Sequence, residues 1–243
     1  MTDLKHAGCW PLGMIWFCCL ILSYVPLSAQ TEDSSLSARK EVQSLFSGVI
    51  YQMPDARIEG NPWLLPRYAQ GKLTWLSHEL ASDYLRYDLV LDQLIVLTRG
   101  GGQEHLLALS PHHVSSFLIG QRIFRNGAFL PGEEVPEPLK AGYHELIYQG
   151  DSILLVCVHQ KKVLSENSSA SISYRYDYKR LTYLYRSGEY HRIDGQRSLI
   201  QALGSHKNAI KDFLRRESIS VKQSDPYALI PAITFYEHLS PEP

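Results

Sequence analysis

The sequence predicts an α+β fold in which a mostly antiparallel β-meander, flat or curled, over about residues 49–193 is followed by short helices over about residues 197–239. Three observations predict it. Tyrosines recur at every second position from Tyr174 to Tyr178, which is the period of a strand with one aromatic and one polar face. The connections between the earlier strand-like runs are too short for crossover helices, so neighbouring strands run antiparallel. Near the C-terminus the apolar residues follow the helical period instead.

The first 30 residues have the order of a secretory signal peptide. Lys5 and His6 precede an apolar run from Met14 to Leu22, and a proline and small residues lead to the cleavage position. The run is shorter than the roughly 20 residues that span a bilayer, which argues against a membrane anchor. We therefore predict a periplasmic or extracellular protein with a mobile lead-in over residues 31–47. The predicted lead-in is followed by one α+β domain over residues 48–243, which has no transmembrane segment.

The predicted signal peptide contains three of the four cysteines. The exported chain then keeps only Cys157, and no intrachain disulfide can form. Such a domain is held together by its hydrophobic core, for which about 200 residues are sufficient. Cys157 stands among apolar strand residues and is predicted to be a buried, unreactive thiol. The alternative is a nucleophile activated by His159, which lies two residues along the same strand face.

The formal net charge of the chain is −1. Proteins that bind nucleic acid carry a basic surface, so this balance argues against a nucleic-acid partner. No motif for a cofactor is present, and none is predicted. His78-Glu79 opens like the zinc motif of metalloproteases, but Ser82 stands where the second histidine is required, so no metal site is predicted.

The elements begin with a possible strand from Val49 to Gln52 and a loop rich in proline and glycine. Trp63 lies in that loop, where it either plugs one end of the sheet or lines a binding cleft. A second stretch of this composition, residues 126–142, is predicted to be an exposed loop. Between the two loops, five strand-like runs cover residues 73–77, 83–90, 93–98, 104–110 and 114–120.

Two hairpins and three helices complete the prediction. Gly150-Asp151 and Ser187-Gly188 occupy the hairpin turns, where a residue must accept positive φ. Two short helices flank Gly204, and Pro231 is expected to kink or divide a third. The buried stripe of this third helix is predicted to consist of Leu229, Ile233 and Tyr236.

Four titratable side chains are candidates for a hydrolytic site that the fold would assemble: His112, His113, Asp88 and Asp92. A hydrolase needs an acid or a nucleophile within hydrogen-bond reach of a base. The plainer alternative is that the aspartates cap turns and the histidines lie in a loop. A hydrolase is therefore the second of two functional hypotheses.

Tyrosines are the remaining surplus, with eight of them in the range 143–190. A sheet face formed by Tyr174, Tyr176 and Tyr178 could bind a protein or an apolar ligand, with Trp63 as a further contact. The alternative is that the helices dock on this face. Our first hypothesis is accordingly a non-enzymatic binding module of the cell envelope, whose partner is an envelope protein or an apolar ligand.

Six segments follow one another along the chain: GNPWL, GKLTW, LRYDLVLDQLIVL, VSSFLIG, GYHELIYQG and SLIQALGSHKNAIKDFLRRE. In this order the chain resembles uncharacterised exported proteins of Bacteroidota-type bacteria, which combine a signal peptide, a GNPYL-like loop, a GYYE hairpin and a lysine-rich helical tail. The resemblance implies a location in the bacterial cell envelope and no activity. The chain departs from the pattern at His144, where the pattern has an aromatic residue, and in a less basic tail.

Overall fold

The structure, a computed structural model, describes residues 50–100, 103–167, 171–221 and 225–239. It confirms the predicted fold class, because a mostly antiparallel sheet is followed by short helices. The predicted signal peptide (residues 1–30) and lead-in (residues 31–47) lie outside the described residues.

In the described part of the chain, eleven strands form one sheet. They are β1 (Ile58–Glu59), β2 (Ala69–Trp75), β3 (His78–Asp88), β4 (Gln93–Gly100), β5 (Gln103–Ala108), β6 (Val114–Ile119), β7 (Arg122–Asn126), β8 (Tyr143–Gln149), β9 (Ile153–Asn167), β10 (Ile172–Arg186) and β11 (Glu189–Ile193). Their order across the sheet is β1-β10-β9-β8-β7-β6-β2-β3-β4-β5, and β11 also pairs with β10.

The sheet consists of two antiparallel meanders that join at β2 and β6. The first runs from β2 to β5 and the second from β6 to β11. Strands that are not consecutive in the sequence pair at two places, where β6 pairs with β2 and where β1 pairs with β10. Leu73 of β2 lies between Leu80 of β3 and Phe117 of β6. The short β1 is parallel to β10, with Ile58 opposite Tyr174, which makes the sheet mixed.

The sheet curls, because strands that are far apart in its order come into contact. Lys161 of β9 donates its backbone N–H to the carbonyl oxygen of Leu89, directly after β3, although four strands separate β3 from β9. A cluster of aromatic rings from four strands fills the curl, with ring centroids 4.8 to 5.9 Å apart. These rings, all fully buried, belong to Tyr87, Phe117, Phe124 and Tyr143. Such rings bury large apolar areas and dominate the energetics of a core.

Residues 126–142, which the sequence predicts to be an exposed loop, are mostly exposed, but they contain short helices and contribute two leucines to the core. They contain a 3-10 helix (Gly127–Phe129) and a short helix α1 (Glu137–Lys140). Leu130 and Leu139 are buried in a cluster with Val156 of β9. Through these two leucines the segment packs against one face of β9 and β10.

Three further α-helices cover the opposite face of β9. They are α2 (Gln196–Leu203), α3 (Lys207–Arg216) and α4 (Ile230–Leu239), the last preceded by a 3-10 helix (Pro226–Leu229). Pro231 divides the segment as predicted, because it stands in the first turn of α4, where its missing N–H costs no helical hydrogen bond. The predicted stripe Leu229, Ile233 and Tyr236 is buried, in contact with a core that includes Leu155 and Cys157. No helix of the described residues is long and apolar enough to cross a membrane.

The predicted hairpin turn at Ser187-Gly188 is confirmed, and Gly150-Asp151 lies between β8 and β9 as predicted but without a positive φ. Ser187 and Gly188 have φ of 51° and 87° between β10 and β11, as a tight hairpin requires. The turn between β2 and β3 falls at Leu76-Ser77 and not at His78-Glu79. The possible strand from Val49 is reduced to one bridge between Ile50 and Leu107 among the described residues.

Gly71 of β2 permits the closest approach in this part of the sheet, and we predict that it does not tolerate a side chain. A Cβ at this position would overlap the backbone oxygen of Leu118 and come within 2.7 Å of Leu85 Cδ1. Gly71→Ala should lower the free energy of unfolding by about 2 kcal/mol, as measured by urea denaturation. The control is Gly195→Ala, where a Cβ meets nothing within 4 Å and the loss should stay below about 1 kcal/mol. Equal effects of the two substitutions would contradict the prediction.

Candidate functional site

The structure separates the two histidines proposed for catalysis from the two aspartates. His112 and His113 lie exposed in the turn before β6, where the His113 ring packs 5.0 Å from the ring of Trp75. In the described residues, no hydrogen bond or ion pair joins either histidine to Asp88 or Asp92. The hydrolase hypothesis therefore remains a prediction whose four residues are not brought together.

Asp88 and Asp92 instead organise the turn between β3 and β4. Asp88 accepts a hydrogen bond of 2.5 Å from the Tyr51 hydroxyl and two more from the backbone N–H groups of Val90 and Leu91. Asp92 accepts hydrogen bonds from the Tyr87 hydroxyl and from a backbone N–H of β8. Asp88 therefore caps the turn, whereas Asp92 joins the turn to β8, and burial raises the pKa of Asp92.

Trp63 is buried and gives no access to a ligand. It retains only 6% of its accessible surface and packs 5.5 Å from the ring of Tyr51. The guanidinium of Arg86 covers the indole at 4.6 Å from the ring centroid. Of the two roles that the sequence allows, Trp63 plays that of a plug, and we omit it from the candidate binding surface.

Tyr174, Tyr176 and Tyr178 share one face of β10, as the strand period predicts. They stand opposite Ser165, Val163 and Lys161 of β9. The helices dock on the same face, but further along, over Leu155 and Leu184, so they leave the three tyrosines uncovered. Tyr174 and Tyr178 are 44% and 40% exposed, and Tyr176 is half-buried.

The tyrosines belong to an extension of the sheet formed by β9 and β10, with the two-residue β1 beside Tyr174 and Arg175. We call residues 160–167 of β9 and 172–180 of β10 the arm. The two strands stay paired along the arm, yet most of its side chains on both faces are exposed, whereas residues 153–159 of β9 are buried. Apolar side chains are among the exposed ones: Val163, Leu164 and Ile172.

A buried carboxylate lies at the base of the arm. Glu145 of β8 is completely inaccessible, and each of its oxygens accepts two hydrogen bonds. Oε1 accepts from Arg122 Nε and, at 2.5 Å, from the Tyr227 hydroxyl. Oε2 accepts from Arg122 Nη2 at 2.6 Å and lies 2.8 Å from His159 Nε2. The carboxylate therefore has no acceptor site left for another donor.

Electrostatics keep this network in one protonation state. Burial alone would raise the pKa of Glu145, but its hydrogen bonds to Arg122, His159 and Tyr227 outweigh burial and lower the pKa to about 2. Burial lowers the pKa of His159, so the imidazole is neutral at pH 7. The ion pair between Arg122 and Glu145 then carries the charge of the network.

The neutral His159 connects the buried carboxylate to the arm. With one proton on the ring, Nε2–H donates to Glu145, and Nδ1 accepts from the Tyr178 hydroxyl at 2.5 Å. The two rings are also stacked, with centroids 5.9 Å apart and planes 9° from parallel. The histidine therefore fixes the position of a tyrosine whose ring is 40% exposed.

Cys157 adds a third potential metal ligand beside Glu145 and His159. The ligand atoms of these buried residues lie within 4.8 Å of one another. Two features oppose coordination in this arrangement. Burial raises the pKa of the thiol to about 12, so it is protonated, and the Arg122 guanidinium already balances the carboxylate. The predicted buried thiol is confirmed, because Cys157 is completely inaccessible.

The network holds the hydroxyl groups of Tyr178 and Tyr227 by hydrogen bonds. Glu145 and His159 were not predicted as a pair, because they are distant in sequence and meet only where β8 and β9 lie side by side. The one available signal is a charged residue within the otherwise apolar strand YHELIY, since a buried charge requires partners. What reaches the surface above the network is Tyr178, Tyr227 and the Arg180 guanidinium, 5.3 Å from the Tyr178 ring centroid.

Comparison with known proteins adds no relative: no family model, no curated protein and no solved structure matches the chain.

We predict that His144, on the face of β8 opposite Glu145, makes stability depend on pH. Burial lowers its pKa from 6.5 to about 4 despite the contact between Nε2 and the Leu139 oxygen. The unfolded chain then binds the proton first, so this contribution is complete above pH 6.5 and is lost as the pH falls towards 4. His144→Phe has no titratable group at this position, so it should reduce the loss of stability between pH 7 and pH 5 by about 2 kcal/mol.

Urea denaturation at the two pH values measures this difference. Below pH 4.5 both proteins should lose stability as Glu145 is protonated, because the lowered pKa of that group makes its contribution disappear towards pH 2. Parallel stability curves between pH 7 and pH 5 would show that His144 is not the responsible group.

Proposed function

We propose that the chain is an exported protein of the cell envelope that acts as a non-enzymatic binding module, and that it binds a partner protein through the arm. The observation that carries this proposal is the arm itself. Its strands extend beyond the packed part of the sheet and present Ile172, Tyr174 and Tyr178 to solvent. Exposed apolar groups that are contiguous mark interaction sites on soluble proteins.

The composition of the tyrosine face supports a protein partner. Tyrosine and arginine are the residues that contribute most often to the binding energy of interfaces. Tyr178 and Arg180 lie side by side on this face, and Tyr227 approaches from the segment before α4. Because Tyr178 and Tyr227 are held by hydrogen bonds to the buried network, little side-chain entropy remains to be lost on binding.

A partner protein fits this surface better than a small apolar ligand. Ligand pockets enclose most of the ligand, whereas the arm is an exposed ribbon. A cavity of about 470 Å³ does lie beside the base of the arm, but its lining includes Asp92, His144 and Lys161. Leu89, Val90 and Val158 line it as well, so the cavity mixes polar and apolar side chains.

The envelope location rests on the N-terminal sequence and has its own test. Export should remove the first 30 residues or about that number. Fractionation of the producing cells, followed by N-terminal sequencing of the mature chain, should find it outside the cytoplasm with a new N-terminus near residue 31. A cytoplasmic chain that begins at Met1 or Thr2 would refute export and leave the binding proposal to be tested separately.

Binding through the arm predicts a selective loss of capture. The double substitution Ile172→Ser and Tyr174→Ser removes exposed apolar groups from the arm. The matched control, Ile123→Ser and Phe129→Ser, removes a similar exposed pair elsewhere. The tagged chain is cross-linked in an envelope extract, and captured proteins are identified and titrated.

The expected result is a protein that wild type and control capture alike and that the arm variant binds about tenfold more weakly or not at all. Equal affinity of the arm variant and the control for every captured protein would contradict the proposal.

A further inference from the structure

The outer edge of β9 is open along the arm. β9 pairs with β10 along its whole length, but with β8 only through residues 154–158. Lys161 then donates its backbone N–H to the Leu89 oxygen. From residue 162 to residue 167, no described strand pairs with this edge.

The bond from Lys161 identifies which backbone groups face outwards. In an antiparallel pair, the N–H and C=O of successive residues point alternately towards and away from the partner strand. Because Lys161 points away from β10, Val163, Ser165 and Asn167 do so as well. The backbone of Leu89 already lies beside Lys161, at the start of the space in which a further strand would pair with these residues. An unpaired row of this kind is a template for one more strand.

We infer that this edge binds an extended, acidic segment of the partner protein as an added strand. The inference rests on the proposed function, to which it adds the mode of binding and the chemistry of the partner. The added strand would lie along the edge of β9 beyond Leu89 and exchange backbone hydrogen bonds with Val163, Ser165 and Asn167.

Charge favours an acidic segment. The arm has five basic residues and two acidic ones, a net charge of +3 within a chain of net charge −1. On the tyrosine face both charged residues of the arm, Lys161 and Arg180, are basic. On the other face Glu166 is paired with Arg175 and Asp177 stands opposite Lys162, so Lys179 leaves this face with a net charge of +1. An acidic strand would therefore approach an arm whose two faces are both net positive.

The same charge argues against a second copy of this chain. Pairing of two arms edge to edge would bring two segments of net charge +3 together, which is unfavourable. Lysine on an exposed edge is also a common means of preventing association between copies of one protein. Lys162 thus disfavours association between copies of the chain and contributes to the attraction of an acidic segment.

The two faces of the arm define the pattern of the added segment. Side chains on one side of the new strand would lie beside Val163 and Tyr176, and those on the other side beside Lys162 and Leu164. A strand that alternates apolar and acidic residues satisfies both sides. The probes are therefore two labelled synthetic peptides of about ten residues, one alternating valine with glutamate and the other alternating valine with lysine.

Fluorescence anisotropy with the full chain tests the inference. The glutamate peptide should bind about tenfold more tightly than the lysine peptide, and its affinity should fall as salt is added. Two N-methylated versions of the glutamate peptide separate its two edges, because each carries methyl groups on alternate backbone nitrogens. The version methylated on the edge that pairs with β9 should bind about tenfold more weakly, and the version methylated on the other edge should bind as tightly as the unmodified peptide. Equal binding of the two peptides, or indifference to methylation at both edges, would overturn the inference.

A substitution in the arm separates strand addition from other contacts. Val163→Pro removes one outward N–H without removing a bond to β10, because Val163 does not donate to that strand. The matched control Val163→Thr keeps the N–H. Hydrogen exchange at Arg175 and Leu164 verifies that the arm stays paired in both variants.

Val163→Pro should bind the glutamate peptide and the captured partner with about tenfold lower affinity than Val163→Thr does. If Val163→Pro binds the captured partner normally while the Ile172→Ser and Tyr174→Ser variant does not, the proposed function stands and strand addition fails. If both bind normally, the proposed function fails too. Self-association that sedimentation detects in Val163→Thr and not in Val163→Pro would assign the edge to a second copy and overturn the acidic partner.

Discussion

The ion pair between Glu145 and Arg122 is the interaction on which the base of the arm depends. Removing a carboxylate from water costs several kcal/mol unless donors replace the lost hydration. Here the donors come from β7, from β9 and from the segment before α4, so satisfying one charge requires three elements to meet. Loss of any donor would leave the others around an incompletely paired charge. The network therefore links the helical layer to the sheet at one defined register.

This linkage gives the arm a rigid base and an exposed end. Through His159, the buried carboxylate determines the orientation of Tyr178, and through a direct bond that of Tyr227. Beyond these residues the arm has backbone pairing but little burial. Local stability falls with burial, so the exposed end can adjust to a partner while the base stays fixed. A surface of this type presents preorganised tyrosines beside backbone groups that are available for pairing.

The sequence predicted what periodicity and turn chemistry control. The alternation of Tyr174, Tyr176 and Tyr178, the hairpin turn at Ser187-Gly188 and the stripe of α4 are local patterns, and the structure contains each of them. It did not predict that β6 pairs with β2, because strand order depends on contacts between distant residues. The pairing of Glu145 with His159 was missed for the same reason. For residues 126–142 the sequence predicted the exposure but not the short helices or the burial of Leu130 and Leu139, because prolines do not indicate which apolar residues pack.

The length of the arm is difficult to explain by folding alone. Residues 153–159 of β9 bury seven consecutive side chains, and the strand could end there with the core complete. The continuation to Asn167 adds ordered backbone, whose entropy cost is about 1 to 2 kcal/mol per residue, without comparable burial. It also exposes a strand edge, which is a hazard unless it is blocked or used. Lys162 opposes pairing with like-charged copies, but no proline or bulge blocks the edge from residue 162 to residue 167. The charge of the arm disfavours pairing between two copies of the chain, while the edge stays open to a different protein. A partner strand that pairs with this edge would account for both features.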